Sequence, residues 1–185
     1  MANGLRLPTM HELIEEHSAL LYRYAYRLTG DAYDAEDLVQ QTFLLAHQHR
    51  DQLRDAQAAR GWLISIVRNV FLKSIRHRGR GRSLEEIDEP SMLEASLDEP
   101  IHLEVLQQAL LELSEEFRSP LVLYYFEEFS YQEIAKQMGV PIGTVMSRLS
   151  RAKAYLKKRL TESADREHQT AAGPHRTREF VLQHQ

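Results

Sequence analysis

Cysteine is absent from this chain of 185 residues, which excludes disulfides, a thiol nucleophile and every zinc site built on thiolates. Long apolar runs are missing as well. No stretch approaches the ~20 residues that span a bilayer, and the opening MANGLRLPTM lacks the apolar core of a secretory signal, so the expected location is the cytoplasm. Strand signals are nearly lacking too, because the apolar residues recur at helical rather than alternating spacing. Metal and enzyme signatures fail in turn. His47 and His49 stand two apart and point to different helix faces, His11-Glu12 has no second histidine of an H-E-x-x-H pattern, and His168, His175 and His184 are scattered through a polar end segment. Neither a cofactor, a metal site nor an enzymatic activity is expected.

Charge is present, and it is segregated. The formal net charge of -4 argues against a nucleic-acid binder until the positions are read. From Ala56 to Ser83 there is no acid, while Arg60, Arg68, Lys73, Arg76, Arg78, Arg80 and Arg82 follow one another. From Ile134 to Thr161 there is again no acid, and Lys136, Arg148, Arg151, Lys153, Lys157, Lys158 and Arg159 are present. Either stretch alone could be a solvated helix face; together they read as two DNA contacts.

The apolar spacing predicts an all-α chain of two small helical domains joined by a flexible acidic linker. Thr9 and Glu12 form a T-x-x-E capping box for a first helix with Leu13, Leu20, Leu21, Tyr24 and Leu28 at helical spacing, stopped by Gly30. Asp31 is placed to cap a second helix, whose Leu38, Val39, Thr42, Phe43 and Ala46 share a face and whose first turns are crowded with Asp34, Glu36 and Asp37. A third helix buries Leu63, Ile66, Val67 and Val70 and turns Ser65, Asn69, Leu72 and Arg76 outward. The first domain spans 9–78, the linker 79–99, the second domain 100–160, and residues 161–185 read as a disordered tail. Ser119 and Pro120 are expected to start a short buried helix through LVLYYF.

The segment SYQEIAKQMGVPIGTVMSRLSRAKAYLKKRL is the most specific signal. Ser130 and Glu133 make a capping box, Gly139 suits a tight turn, and Pro141 is placed to open the next helix. In that helix Val145, Leu149, Ala152 and Leu156 fall within one arc at ~100° per residue. The far face is Gly143, Ser147, Ser150, Arg151, Ala154 and Lys158. Small, hydroxyl and basic residues on an exposed helix after a glycine turn make a helix-turn-helix with a recognition helix suited to the major groove.

DAYDAEDLVQQTFLLAHQH, GWLISIVRNVFLKSIRHRGR and the helix-turn-helix segment resemble, in order and spacing, the three hallmark blocks of extracytoplasmic-function bacterial sigma factors. The resemblance covers about His11 to Leu160. It implies core RNA polymerase and promoter DNA as partners, with an anti-sigma factor as a further partner such proteins can have. Matched residue by residue, it implies that Asp34, Glu36, Asp37, Leu38, Gln40 and Gln41 dock on the clamp-helix coiled coil of the largest polymerase subunit. It places minus-ten recognition and melting on the loop Arg50 to Gln57, on Ser65 and Asn69, and on Arg68, Lys73, Arg76 and Arg78 at phosphates. Minus-thirty-five binding then falls to Thr144, Met146, Ser147, Arg148, Ser150, Arg151 and Lys158; Ser147, Ser150 and Arg151 are expected to read base pairs with Met146 at the edge, and Lys157, Lys158 and Arg159 to meet phosphate. Trp62, beside Leu63 and Ile66, reads as core rather than as a stacking platform. Met146 departs from the family, standing where a Lys or Arg is frequent. The competing reading, a single-component repressor or activator, leaves the second basic helix, the Asp-Ala-Glu-Asp run and the acidic linker unexplained.

Overall fold

The computed structural model describes residues 6–77 and 103–171, and every described element is helical. The first unit comprises α1 (Met10–Thr29), α2 (Ala32–Gln48), two short 3-10 turns (Arg50–Gln52 and Ala56–Ala58) and α3 (Ala59–His77). The second comprises α4 (Leu103–Glu112), α5 (Glu115–Tyr125), α6 (Tyr131–Met138) and α7 (Ile142–Ala171). The linker 79–99, Arg78 and the segment from residue 172 lie outside the described residues.

Helix α1 starts where its capping box is satisfied: the Glu12 N–H donates to Thr9 Oγ1 at 3.2 Å and the Thr9 N–H to the Glu12 carboxylate at 2.6 Å. It stops at Gly30, whose φ of 73° is left-handed and whose N–H donates to the Tyr26 carbonyl at 2.7 Å. Asp31 caps α2 by accepting the Asp34 N–H at 2.9 Å. Leu13, Leu21, Tyr24 and Leu28 of α1, Ala35, Leu38 and Ala46 of α2, and Leu63, Val67 and Val70 of α3 close one core.

Three sequence expectations are corrected. Helix α3 buries Ile64 and Phe71 as well, while Ile66 is only half-buried, because α3 has partners on two sides: α1 and α2 on one, α6 on the other. Helix α5 begins at Glu115 after Ser114, so Ser119 and Pro120 sit inside it. Ser119 is fully buried and donates its hydroxyl to Glu115 Oε1 at 2.8 Å. Finally, α7 runs on to Ala171, so the disordered tail does not begin at residue 161. Helix propagation from an already packed turn costs little, and 161–171 holds no Pro or Gly.

The two units pack on each other. Helix α1 touches α4 and α5, and α3 touches α6. A Cβ at Gly30 would lie 2.3 Å from Leu111 Cδ1 of α4, so glycine there serves both the helix stop and the approach of the second unit.

Candidate nucleic-acid and polymerase interfaces

The helix-turn-helix is built as its pattern requires. The Glu133 N–H donates to Ser130 Oγ at 3.3 Å, the Ser130 N–H to the Glu133 carboxylate at 2.8 Å, and Gly139 turns the chain at φ 65°. The Ser130 hydroxyl, which donates to the same carboxylate at 2.7 Å, and the Ser130 N–H favour the charged form and hold Glu133 below the usual carboxyl range. Val145, Leu149, Ala152 and Leu156 are buried against α5 and α6. That fixes the opposite face outward: Gly143, Met146, Ser147, Ser150 and Lys158 are exposed, with Thr144 and Arg151 half-exposed. The Ser147 hydroxyl donates to the Thr144 carbonyl at 3.0 Å. Arg148, of the same candidate set, is half-buried and pairs with Glu116 of α5 at 3.1 Å.

Arg159 does not stand ready for phosphate as the sequence led us to expect. Its guanidinium forks onto Glu112 of α4, 2.6 Å to each carboxylate oxygen, and the Tyr155 hydroxyl donates to the same Glu112 at 2.6 Å. A bidentate pair of this geometry is a structural clasp between α4 and α7. The Arg159 hydrogen bonds hold the Glu112 carboxyl below its ordinary value, and desolvation by burial, with Glu112 beside it, pushes the Tyr155 phenol up to about 12. A depressed carboxyl contributes stability above its unfolded value and loses it as pH falls through the folded one. Glu112→Ala is therefore expected to cost about 1–3 kcal/mol at neutral pH and progressively less in acid. Urea unfolding at several pH values checks this; equal losses at all pH values would remove the clasp.

On α3, Asn69, Lys73 and Arg76 are exposed and Ser65 is half-buried, its hydroxyl donating to the Trp62 carbonyl at 2.6 Å. Trp62 is half-buried against the core, in line with the packing role. In the preceding loop the Arg50 guanidinium donates to the Pro8 carbonyl, and Asp55 accepts the Gln57 N–H at 3.0 Å. Arg68 needs correction. It lies in the contact between the units and pairs with Glu115 of α5 at 2.9 Å, both side chains only 14% exposed, so in this arrangement it is not offered to a phosphate.

On α2, Glu36, Asp37, Gln40 and Gln41 are exposed, Asp34 is half-buried, and Gln41 donates to Asp37 at 2.6 Å. Leu38 is corrected: it is 4% exposed and belongs to the core, because it shares its arc with Thr42 and Ala46. The sequence reading missed two neighbours of this face, Tyr33 and Leu44, which are 82% and 63% exposed. Tyr33, Asp37, Gln40 and Leu44 follow the 4-3-4 spacing of a seam that meets another helix. The signal lay in the sequence: both apolar residues fall off the buried arc. A cleft of about 880 Å³ between the units is lined by Asp37, Gln41, Ser74, Glu112, Arg118 and Lys158, among others.

A helical bundle with an exposed acid-and-amide face, followed by a helix-turn-helix whose outer face carries hydroxyl and basic residues, has the organisation of a transcription factor of the sigma-70 type. The chain matches Sigma-70 region 2 over residues 13–81 and Sigma-70 region 4 over residues 103–156. It is 39% identical over 162 residues to the ECF RNA polymerase sigma factor SigL of Mycobacterium tuberculosis, covering 83% of this chain and 89% of that protein. To SigE of Mycolicibacterium smegmatis it is 36% identical over 173 residues, covering 89% of this chain but 66% of that protein. Among solved structures, the sigma factor RpoE of Bartonella quintana, in complex with the anti-sigma factor NepR, superposes with a TM-score of 0.66 at 30% identity, over 80% of this chain and 94% of that one. The chain belongs to the ECF family of RNA polymerase sigma factors, non-enzymatic factors that direct transcription by core RNA polymerase. No helix among the described residues is long and apolar enough to cross a membrane.

Proposed function

We propose that this sigma factor docks on core polymerase through the α2 face, recognises and melts the minus-ten element with α3 and the loop before it, and reads the minus-thirty-five element with α7. One observation carries the reading: an exposed acid-and-amide face on α2 and an exposed serine-and-arginine face on α7 occur in one chain, each fixed outward by a buried opposite arc. Clustered acids beside amides suit a basic partner and set its register. Small and hydroxyl residues flanking Arg151 suit base edges. Asn69 is an uncharged amide on an exposed helix face, fitted to an unstacked base, with Lys73 and Arg76 along the strand. An anti-sigma factor as a regulatory partner is part of this proposal, by likeness to the Bartonella quintana protein.

The test is gel filtration with core polymerase followed by initiation from a randomised promoter library. Co-elution and promoter-selective transcripts are expected; specific promoter binding by the free protein, with no transcription upon adding core enzyme, would return the repressor reading. In the same library Arg151→Ala is expected to relax preference at one or two base pairs, a loss of about 1–3 kcal/mol of discrimination. Lys158→Ala should instead weaken all promoters evenly and flatten the salt dependence. If Arg151→Ala lowers all promoters equally, α7 is not the reader.

A further inference from the structure

The leading end of α7 is chemically unlike the rest of its outer face. From Met138 to Ser147 the chain carries no charged or amide side chain. The residues that enter a major groove first in a helix-turn-helix therefore hold none of the forked donors that pair with guanine or adenine edges. What they hold instead is apolar. Ile142, the first residue of α7, and Met146, one turn on, are 43% and 52% exposed. Four residues apart, they stand side by side on the helix, and neither can turn inward, because Val145, Leu149, Ala152 and Leu156 fill the buried arc. At ~100° per residue Met146 falls between that arc and Ser150, so the apolar pair borders the hydroxyls of the outer face, with Arg151 on their far side.

The backbone at this end suits a close approach. The Pro141 carbonyl accepts the Thr144 and Val145 N–H groups at 3.0 and 3.2 Å, which fixes the first turn. Gly143 lies exposed beside the pair, and among the described residues no atom lies within 4 Å of where its Cβ would stand. Glycine weakens a helix, and packing inside the protein does not call for it here; a surface pressed against the first turn from outside does. The Ser147 hydroxyl donates to the Thr144 carbonyl, so its lone pairs are left to accept, as an adenine amino group requires.

We propose that Ile142 and Met146 form an apolar reader for the thymine C5-methyl group, by which the leading end of α7 selects A·T pairs in the upstream element. This deepens the reading of α7 given above and rests on it. Neither side chain can serve a phosphate, and the thymine methyl is the apolar feature that a major groove offers. The thioether of Met146 adapts to irregular gaps, whereas the β-branched Ile142 is stiff, so one wall of the contact conforms and the other is preformed. At a rise of about 1.5 Å per residue the two stand about 6 Å apart along the helix, within reach of one or two base steps of about 3.4 Å. Ser147, next to Met146, completes an A·T pair by accepting from its adenine.

The test removes the methyl and nothing else. Each thymine of the upstream element selected from the randomised library is replaced in turn by deoxyuridine, which keeps every hydrogen-bonding group of the pair. Initiation by core polymerase with the factor is then measured at limiting enzyme. One or two positions should lose about fourfold each, the value of one buried carbon. Met146→Ala should abolish the difference between thymine and deoxyuridine at one of those positions, and Ile142→Ala at that position or the next, with circular dichroism unchanged because both side chains are exposed. Arg151→Ala, although it weakens the promoter, should leave the difference in place. Full initiation on every deoxyuridine template, or an upstream element selected without thymine on either strand, would overturn the proposal and leave α7 as the reader. Methyl sensitivity that survives both substitutions would do so too, and a common loss on all templates would then assign the pair to a protein partner. If no promoter is selected once core polymerase is added, the functional reading itself fails.

Discussion

Arg118→Ala is expected to lower the free energy of unfolding by about 3 kcal/mol or more, since removing one side chain strands several buried carbonyls at about 1–3 kcal/mol each. The Arg118 guanidinium donates to the Leu28 carbonyl of α1, to Leu111 at 3.2 Å and to Leu113 at 2.7 and 3.3 Å. These carbonyls lie at the C-terminal ends of α1 and α4, where helix dipoles gather negative charge and no intrahelical donor remains. Burial pulls the guanidinium below its ordinary value, yet it stays charged because arginine deprotonates only far above neutrality. Arg118→Lys should not rescue, since a point charge on a flexible stem cannot serve three carbonyls in a fork. Urea unfolding followed by circular dichroism reads the effect. A loss under about 1 kcal/mol for Arg118→Ala would show that water replaces the guanidinium at no great cost.

Asp37→Ala with Gln40→Ala is expected to weaken association with core polymerase at least about tenfold, with the helical content unchanged. Both residues are exposed and contribute nothing to the core, and substitutions of that kind shift stability by no more than about 0.5 kcal/mol. Tyr33→Ala with Leu44→Ala should match or exceed that loss, because exposed apolar anchors at the two ends of a polar seam are the usual seat of binding energy. Association is measured by competition against a labelled parent for limiting core enzyme. If the first pair leaves affinity unchanged with native circular dichroism, the acids on α2 serve only the helix dipole; if the second pair does, Tyr33 and Leu44 are ordinary surface residues.

The caps were legible because their chemistry is local. Thr9 with Glu12, Asp31, and Ser130 with Glu133 each satisfy orphan N–H groups within three residues along the chain, so sequence spacing suffices to see them. Val145, Leu149, Ala152 and Leu156 were legible for the same reason, since a helix converts spacing directly into a face. Proline misled at α5: Pro120 looked like a first-turn residue, but Ser114 sits before Glu115 and Glu116, and acids favour a helix start, so the helix begins a turn and a half earlier. Leu38 was misassigned because the docking block was carried over as a unit, without subtracting the arc that the core claims.

The fates of Arg68, Arg118, Glu127 and Arg159 lay beyond reach of the sequence. Each is a charged residue of a type ordinarily found in solvent, and each is bound to a residue 47 or more positions away. By itself, then, the sequence determined the helices, their ends, the outward face of α7 and the family, because those properties are periodic or local. Only the tertiary structure decided which basic residues remain free to meet nucleic acid and that the two units close on each other, because partner choice among charged side chains depends on distances that the chain sets only once it is packed.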